Sequence, residues 1–372
     1  MTSTLFSPIS LRGLELPNRI VVAPMCQYSA HDGSATDWHL MHLGQFAVSG
    51  AAITFVEATG VEPEGRITPG CVGLYSDENE AALARVVRFY RDYGAAKIGL
   101  QLAHAGRKAS AAVPWRGGAA LQAEEGAWQT CAPSALPYGP GWHTPVALDE
   151  DGLARIRRAF VQATQRALRL DFDALEIHSA HGYLLHQFLS PVSNQRDDAY
   201  GGSLENRMRF PLEVFEAVRA AWPEDRPLGV RFSATDWIDG GWDLESSLAY
   251  CEALKARGCD FFDVSSGGLA PAQRIISAPG YQTGFAAAVK AATGVTTIAV
   301  GRITEAHQAE TILVTGQADM VALARGMLYD PRWAWHAAAA LGDNAAFPPQ
   351  YQRCHPSLQG EPIPGNPPAP KD

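Results

Sequence analysis

Cysteine is scarce in this chain, and none of it is paired in a C-x-x-C. Six cysteines (Cys26, Cys71, Cys131, Cys251, Cys259 and Cys354) are spread over 372 residues. That spacing excludes a disulfide framework and the usual zinc or iron–sulfur ligand sets, and it fits a reducing cytoplasm. Basic residues are also in deficit: 30 Lys and Arg stand against 39 Asp and Glu, a formal net charge of −9. No nucleic acid is therefore expected as the main ligand. Long apolar runs are missing as well, so no membrane span is expected, and Met1–Pro8 lacks the basic and apolar segments of a signal peptide. No G-x-G-x-x-G follows an apolar run, which removes the usual dinucleotide-binding fingerprint.

What is present is a repeated alternation. Eight short apolar runs rich in Val, Ile and Phe recur: Arg19–Ala23, Ile53–Glu57, Ile98–Leu102, Ala174–His178, Leu228–Phe232, Phe261–Val264, Thr297–Val300 and Met320–Leu323. Continuous apolar runs of this length suit strands buried on both faces. Amphipathic stretches lie between them, including Leu153–Leu170, Ser246–Arg257 and Thr304–Thr315. Strands alternating with helices imply parallel βαβ units, and eight such units imply a closed (β/α)8 TIM barrel. The spacing predicts one barrel domain over 1–372. A long capping loop follows the third strand, from Ala103 to about Asp173, and an irregular Pro-rich tail begins near 348.

Barrels of this kind keep their chemistry at the strand ends. Those ends carry Ala23-Pro24-Met25-Cys26-Gln27-Tyr28, Glu57-Ala58-Thr59, Gln101 with His104-Ala105-Gly106-Arg107-Lys108, and His178-Ser179-Ala180-His181-Gly182-Tyr183. The remaining four carry Arg231, Ser265-Ser266-Gly267-Gly268, Gly301-Arg302 and Ala324-Arg325-Gly326. The set is polar, aromatic and basic, with almost no carboxylates, and it suits a flat anionic ligand. Gly301, Arg302, Ala324 and Arg325 follow the last two strands, where such barrels commonly hold a phosphate. Arg231 inside a strand calls for an anionic partner, because an unpaired buried guanidinium is costly. On spacing alone, His178 and His181 are open to a metal or to a structural role, although no third ligand stands nearby in sequence.

Several runs carry a family resemblance: PMCQYSA, VEATGVEPEGRITPG, QLAHAGRKAS and EIHSAHGYLLHQFLSPVSNQRDDAYGGSLENRMRF. Together they resemble the Old Yellow Enzyme family, in its bacterial xenobiotic-reductase and thermophilic-like branch. The resemblance implies noncovalent FMN, NADPH or NADH as hydride donor, and ping-pong reduction of enones, enals, maleimides and similar activated alkenes. It places Ala23, Pro24, Met25 and Cys26 along the flavin ring, and Ala58, Gln101 and Arg231 at its pyrimidine edge. Ala324 and Arg325 fall at the phosphate. His178 and His181 would hold the substrate carbonyl, Tyr183 would protonate the α-carbon, and Tyr28 would stand over the flavin face. The resemblance further implies a homodimer or homotetramer in which Arg353 of the tail reaches a neighbouring site.

Other residues have plainer readings. His39 and His42 read as helix-start or packing residues, away from a strand end. Arg107 and Lys108 read as solvated loop charges or as contacts for an NADPH phosphate. Trp333 and Trp335 should pack the last helix, and the five cysteines other than Cys26 should be structural. Two alternatives stand beside the ene-reductase reading: a flavin barrel dehydrogenase of another substrate class, and a flavin-binding protein without catalysis. An aldolase-type barrel would need a strand-end lysine aimed into the barrel.

Overall fold

The computed structural model describes residues 3–354. A two-stranded antiparallel hairpin, β1 (Ile9–Leu11) and β2 (Leu14–Leu16), comes first. Eight strands then close a barrel: β3 (Ile20–Val22), β4 (Ile53–Gly60), β5 (Lys97–Ala103), β8 (Ala174–Ser179), β9 (Leu228–Ser233), β10 (Phe261–Ser265), β11 (Thr296–Val300) and β12 (Met320–Leu323). Every neighbouring pair is parallel, in chain order around the ring. Each of the eight expected runs is one of these strands. The two-residue strands β6 (Cys131–Ala132) and β7 (Val146–Ala147) pair within the long connection.

The helices are α1 (Asp37–Ala47), α2 (Asp77–Tyr93), α3 (Glu150–Arg169), α4 (Leu184–Leu189), α5 (Leu204–Ala221), α6 (Leu244–Lys255), α7 (Thr283–Thr293), α8 (Ala306–Val314), α9 (Arg325–Tyr329) and α10 (Trp333–Leu341). Capping side chains set the starts of α2, α3, α5 and α6. The Asp149 carboxylate accepts from Gly152 N–H at 2.8 Å, so α3 begins three residues before its apolar stripe of Leu153, Ile156, Phe160, Ala163 and Ala167. Asp243 does the same for α6. Trp333 and Trp335 are buried in α10, and Trp333 Nε1–H donates to Thr304 O at 2.6 Å.

Two cores result. One lies between strands and helices. The other fills the barrel's lower interior, where Leu11 and Leu16 of the hairpin pack with Phe55, Phe261, Ile298 and Met320. Gly99 and Gly229 make room there: a Cβ on either would stand 2.4 or 2.3 Å from the Phe55 or Phe261 ring. The hairpin is legible only in three dimensions, since three-residue strands carry no readable period.

The connection after β5 caps the opposite end. Its Trp115 ring meets Tyr28 edge-on at 5.7 Å. Arg107 donates to Leu136 O and Pro137 O within this connection, and to Leu269 O beyond β10.

Candidate active site

The turn after β8 is built around left-handed backbone. His181 has φ +57° and Gly182 φ +73°. A Cβ on Gly182 would stand 2.2 Å from Gly268 O, so this turn and the loop after β10 touch backbone to backbone. The contact brings His178, His181 and Tyr183 together. The rings of His178 and His181 meet edge-on at 5.1 Å, and those of His178 and Tyr183 at 4.9 Å. His178 Nδ1 accepts from Ala180 N–H at 3.2 Å, which leaves the proton on Nε2. That atom faces His181 Nδ1 at 3.3 Å, and His181 Nε2 stands 2.7 Å from Ser265 Oγ. Burial, then the Arg231 charge, holds both imidazoles well below their ordinary range, so both are neutral N–H donors. Burial also raises the Tyr183 phenol well above its ordinary range, so it keeps its proton.

A cavity of about 380 Å³ opens beside this cluster. Ser265, Arg231, Gly301, Arg302, Ala324 and Arg325 all line it, so five of the expected ligand residues share one space. Gly301 has φ +122°, and a Cβ there would meet the Gln282 amide at 2.8 Å. Arg325 makes no side-chain hydrogen bond or ion pair among the described residues, and Arg302 Nη1–H donates to Ser277 O at 3.0 Å. Arg231 is 7% exposed, and its Nε lies 3.2 Å from Asp263 Oδ2 without the alignment of a hydrogen bond. Its terminal nitrogens donate to no described group. Wider crevices of about 540 and 550 Å³ lie under the capping segment, and none of the expected ligand residues lines them.

Carboxylates are more numerous here than the loop sequences suggest. Glu176 and Asp263 point into the barrel beside Arg231, and Gln101 Nε2–H donates to Glu176 Oε1 at 2.7 Å. Burial, then the Asp263 charge, pushes Glu176 up to about 8 against the pull of Arg231 and Gln101. Burial raises Asp263 as well. Burial thus favours the protonated form of both carboxyls, while the Arg231 charge pulls each the other way. The signal was in the sequence: a lone acid interrupts each of the apolar runs ALEIH and FFDV. Gln282 gave no such signal, because it sits in a loop. It accepts from Ser266 Oγ–H at 2.6 Å and donates to Val300 O at 3.0 Å.

Arg107 and Lys108 are not solvated charges. Lys108 Nζ donates to His181 O at 2.8 Å and Gly268 O at 2.9 Å, and it lies 5.1 Å from the centre of the Tyr183 ring. Burial, then the Arg107 charge, pushes it down to about 7. Both cations tie the capping segment to the loop after β10, Lys108 to the turn after β8 as well, and both are spent on carbonyls.

His39 and His42 lie within α1, not ahead of it, and both are buried. His39 does reach a strand end: its Nε2 is 3.2 Å from Glu57 Oε1. Ala23 and Ala58 are buried, while Pro24, Met25, Cys26 and Tyr28 are half-buried at the same end of the barrel. Tyr28 lines a separate cavity of about 410 Å³ with Trp115 and Arg116. Arg353 falls in the 3-10 turn Pro349–Cys354, and its side chain lies outside the described residues. Among the described residues, no helix is long and apolar enough to cross a membrane.

Three comparisons bear on this geometry. A family model described as the NADH:flavin oxidoreductase / NADH oxidase family matches residues 4–344. An NADPH dehydrogenase of Geobacillus thermodenitrificans is 43% identical over 355 residues, covering 95% of this chain and 99% of that protein. The NADPH dehydrogenase of Bacillus subtilis is 41% identical over the same shares. Among solved structures, morphinone reductase superposes with a TM-score of 0.77 at 30% identity, over 93% of this chain and 91% of that one.

Proposed function

Because the chain belongs to the NADH:flavin oxidoreductase / NADH oxidase family, we propose that it is an FMN-dependent NAD(P)H oxidoreductase of the Old Yellow Enzyme kind that reduces the C=C bond of α,β-unsaturated carbonyl compounds. The observation that carries this reading is Arg231, a nearly buried guanidinium whose terminal nitrogens meet no partner, in one cavity with Gly301, Arg302, Ala324 and Arg325. A buried cation with free donors calls for an acceptor-rich anion. FMN fits that demand: Arg231 and Gln101 would hold its pyrimidine edge, and Ala23, Pro24, Met25, Cys26 and Ala58 its ring. Gly301, Arg302, Ala324 and Arg325 would hold its phosphate.

FMN, when bound, would supply the redox chemistry: ping-pong hydride transfer from NADPH or NADH to the electron-poor β-carbon. The chain's own residues do the rest. His178 and His181, both neutral, donate N–H bonds to the carbonyl oxygen and stabilise the enolate charge that develops there. Tyr183, kept protonated by burial, donates its proton to the α-carbon. Tyr28 borders the acceptor side. The reading includes a homodimer or homotetramer in which Arg353 reaches a neighbouring site, and a cytoplasmic location.

The test is a visible spectrum of the purified protein, followed by NADPH reduction and addition of cyclohexenone. The expected result is a flavin spectrum that bleaches with NADPH and returns with the enone. Colourless protein unable to take up FMN overturns the reading. A yellow protein that does not oxidise NADPH in response to enones is a flavin-binding protein without this catalysis.

A further inference from the structure

One largely buried cluster has no part in the proposed reduction beyond the contact of Cys26 with the flavin ring. Cys26, after β3, Glu57, in β4, and Cys71, in the loop after β4, bring their two sulfurs and a carboxylate oxygen within 4.8 Å of one another. Glu57 is 3% exposed and Cys71 0%. The β4–β5 register slips between Val56 and Thr59, so Glu57 sits in the irregular stretch that turns it toward the cysteines.

The carboxylate is poorly compensated for its burial. Its Oε2 accepts from Gln27 N–H at 3.1 Å, and its Oε1 faces His39 Nε2 at 3.2 Å. No Lys or Arg pairs with it among the described residues. His39 Nδ1 accepts from Thr36 N–H at 3.0 Å, so the ring presents its Nε2–H to Glu57. A buried carboxylate without a cation is costly.

The sulfurs are arranged as a pair. Cys71 Sγ accepts from Thr68 N–H at 3.4 Å and stands 3.4 Å from Thr68 Oγ1. The bond to Cys71 and burial raise the Cys26 thiol. Burial also works upward on Cys71, but the bonds from Cys26 and Thr68 outweigh it, so Cys71 ionises first.

We propose that Cys26, Cys71 and Glu57 form a site for a thiophilic divalent cation such as Zn²⁺, held by two sulfurs and one oxygen with a fourth position open. Two thiolates select soft or borderline ions over Mg²⁺ and Ca²⁺. Tetrahedral zinc places sulfurs at about 2.3 Å, hence about 3.8 Å from each other, so the cluster closes by roughly an ångström at most. Both cysteine protons leave to solvent as the metal–sulfur bonds form, the dication balances the two thiolates, and Glu57 joins as a third, anionic ligand, so the site keeps a net charge of −1. His39 and the Gln27 amide keep the carboxylate oriented from behind. The site shares Cys26 with the proposed flavin contact, but its test is separable from the redox reading because binding is measured without turnover.

The experiment uses the enzyme as purified with its cofactor, treated with reductant and chelator, then titrated with CdCl₂. The expected result is an ultraviolet thiolate-to-cadmium band that saturates at one equivalent per chain and is displaced by Zn²⁺ but not by Mg²⁺. Cys71→Ser and Glu57→Gln should each weaken binding at least about tenfold, while Cys131→Ser leaves it unchanged. In the unaltered chain, Zn²⁺ should slow alkylation of Cys26 by iodoacetamide, a readout that needs no variant. An absent band, a band lost in Cys131→Ser, unchanged affinity in a folded Cys71→Ser, or alkylation of Cys26 indifferent to Zn²⁺ overturns the proposal.

Discussion

His178 Nε2 stands 3.3 Å from His181 Nδ1, and the two rings are steered from opposite sides. The Ala180 amide fixes the proton of His178 on Nε2, while His181 Nε2 rests 2.7 Å from the Ser265 hydroxyl. When Ser265 donates, His181 carries its proton on Nδ1, and two N–H groups face one point. When Ser265 accepts, His178 donates to His181 and the pair is wired in series. On the proposed reading, a carbonyl oxygen arriving between the rings would select the first state, because it would accept two bonds there.

His178→Ala and His181→Ala should therefore each slow enone reduction by about 10²–10³-fold, the usual loss for one oxyanion donor, with flavin content unchanged. Ser265→Ala should cost less, about tenfold, because the donor remains and only its tautomer is released. Stopped-flow reoxidation by cyclohexenone measures all three. Full activity in both histidine variants would remove the carbonyl clamp from the mechanism.

Tyr183→Phe should slow flavin reoxidation by weakly activated enones by about 10²–10⁴-fold, the range for a positioned general acid. Reduction by NADPH should not change, because no proton is delivered to the α-carbon in that half. Separate rapid-mixing measurements of the two half-reactions resolve this. An unchanged oxidative rate would assign the proton to solvent or to another group.

Arg231→Lys keeps a charge beside Asp263 but removes the planar fork. A hydrogen bond to a charged group contributes about 1.5–3 kcal/mol, so FMN should bind roughly 10–100-fold more weakly, read from the fluorescence of FMN released on dilution. Arg231→Met should also destabilise the fold, because it leaves the Glu176–Asp263 pair without its cation. Retention of FMN at parental affinity in Arg231→Lys would mean that the free terminal nitrogens do not face the cofactor.

The barrel was legible because each of its strands is buried on both faces and therefore reads as a bare apolar run. The exceptions inside those runs carried the site: Arg231, Glu176 and Asp263 each break an apolar stretch, and each lines or supports the cavity. The acids are harder to read, because each stands within an apolar strand run and not at a strand end, where such barrels keep their chemistry. Lys108 was hidden by a different cause. Its neighbours His181, Gly268 and Tyr138 are distant in sequence, so nothing local distinguishes it from a surface lysine. Cys71 likewise reads as a small core residue until the chain folds it against Cys26 and Glu57.

The same buried groups give the stability a pH signature. Glu176 sits at about 8 in the folded chain against an ordinary value of 4.5, so between those values the folded state keeps a proton that the unfolded chain has lost. Its contribution is fully present below about 4.5 and disappears as pH rises through about 8. Lys108, pushed from 10.5 down to about 7, acts in the other direction: between those values the unfolded chain holds the extra proton, so stability rises with pH. His178 and His181, held below their ordinary value of 6.5, also favour higher pH in the acid range, so the raw melting curve mixes opposing slopes. Differences between proteins separate them. The Tm of the parent minus that of Glu176→Gln should fall by about 1–3 °C per pH unit from pH 5 to 8. The Tm of the parent minus that of Lys108→Met should climb from pH 7 to 10. Melting followed by far-ultraviolet circular dichroism at each pH supplies both curves. A flat first difference would mean that Glu176 is ionised throughout and that burial does not hold its proton.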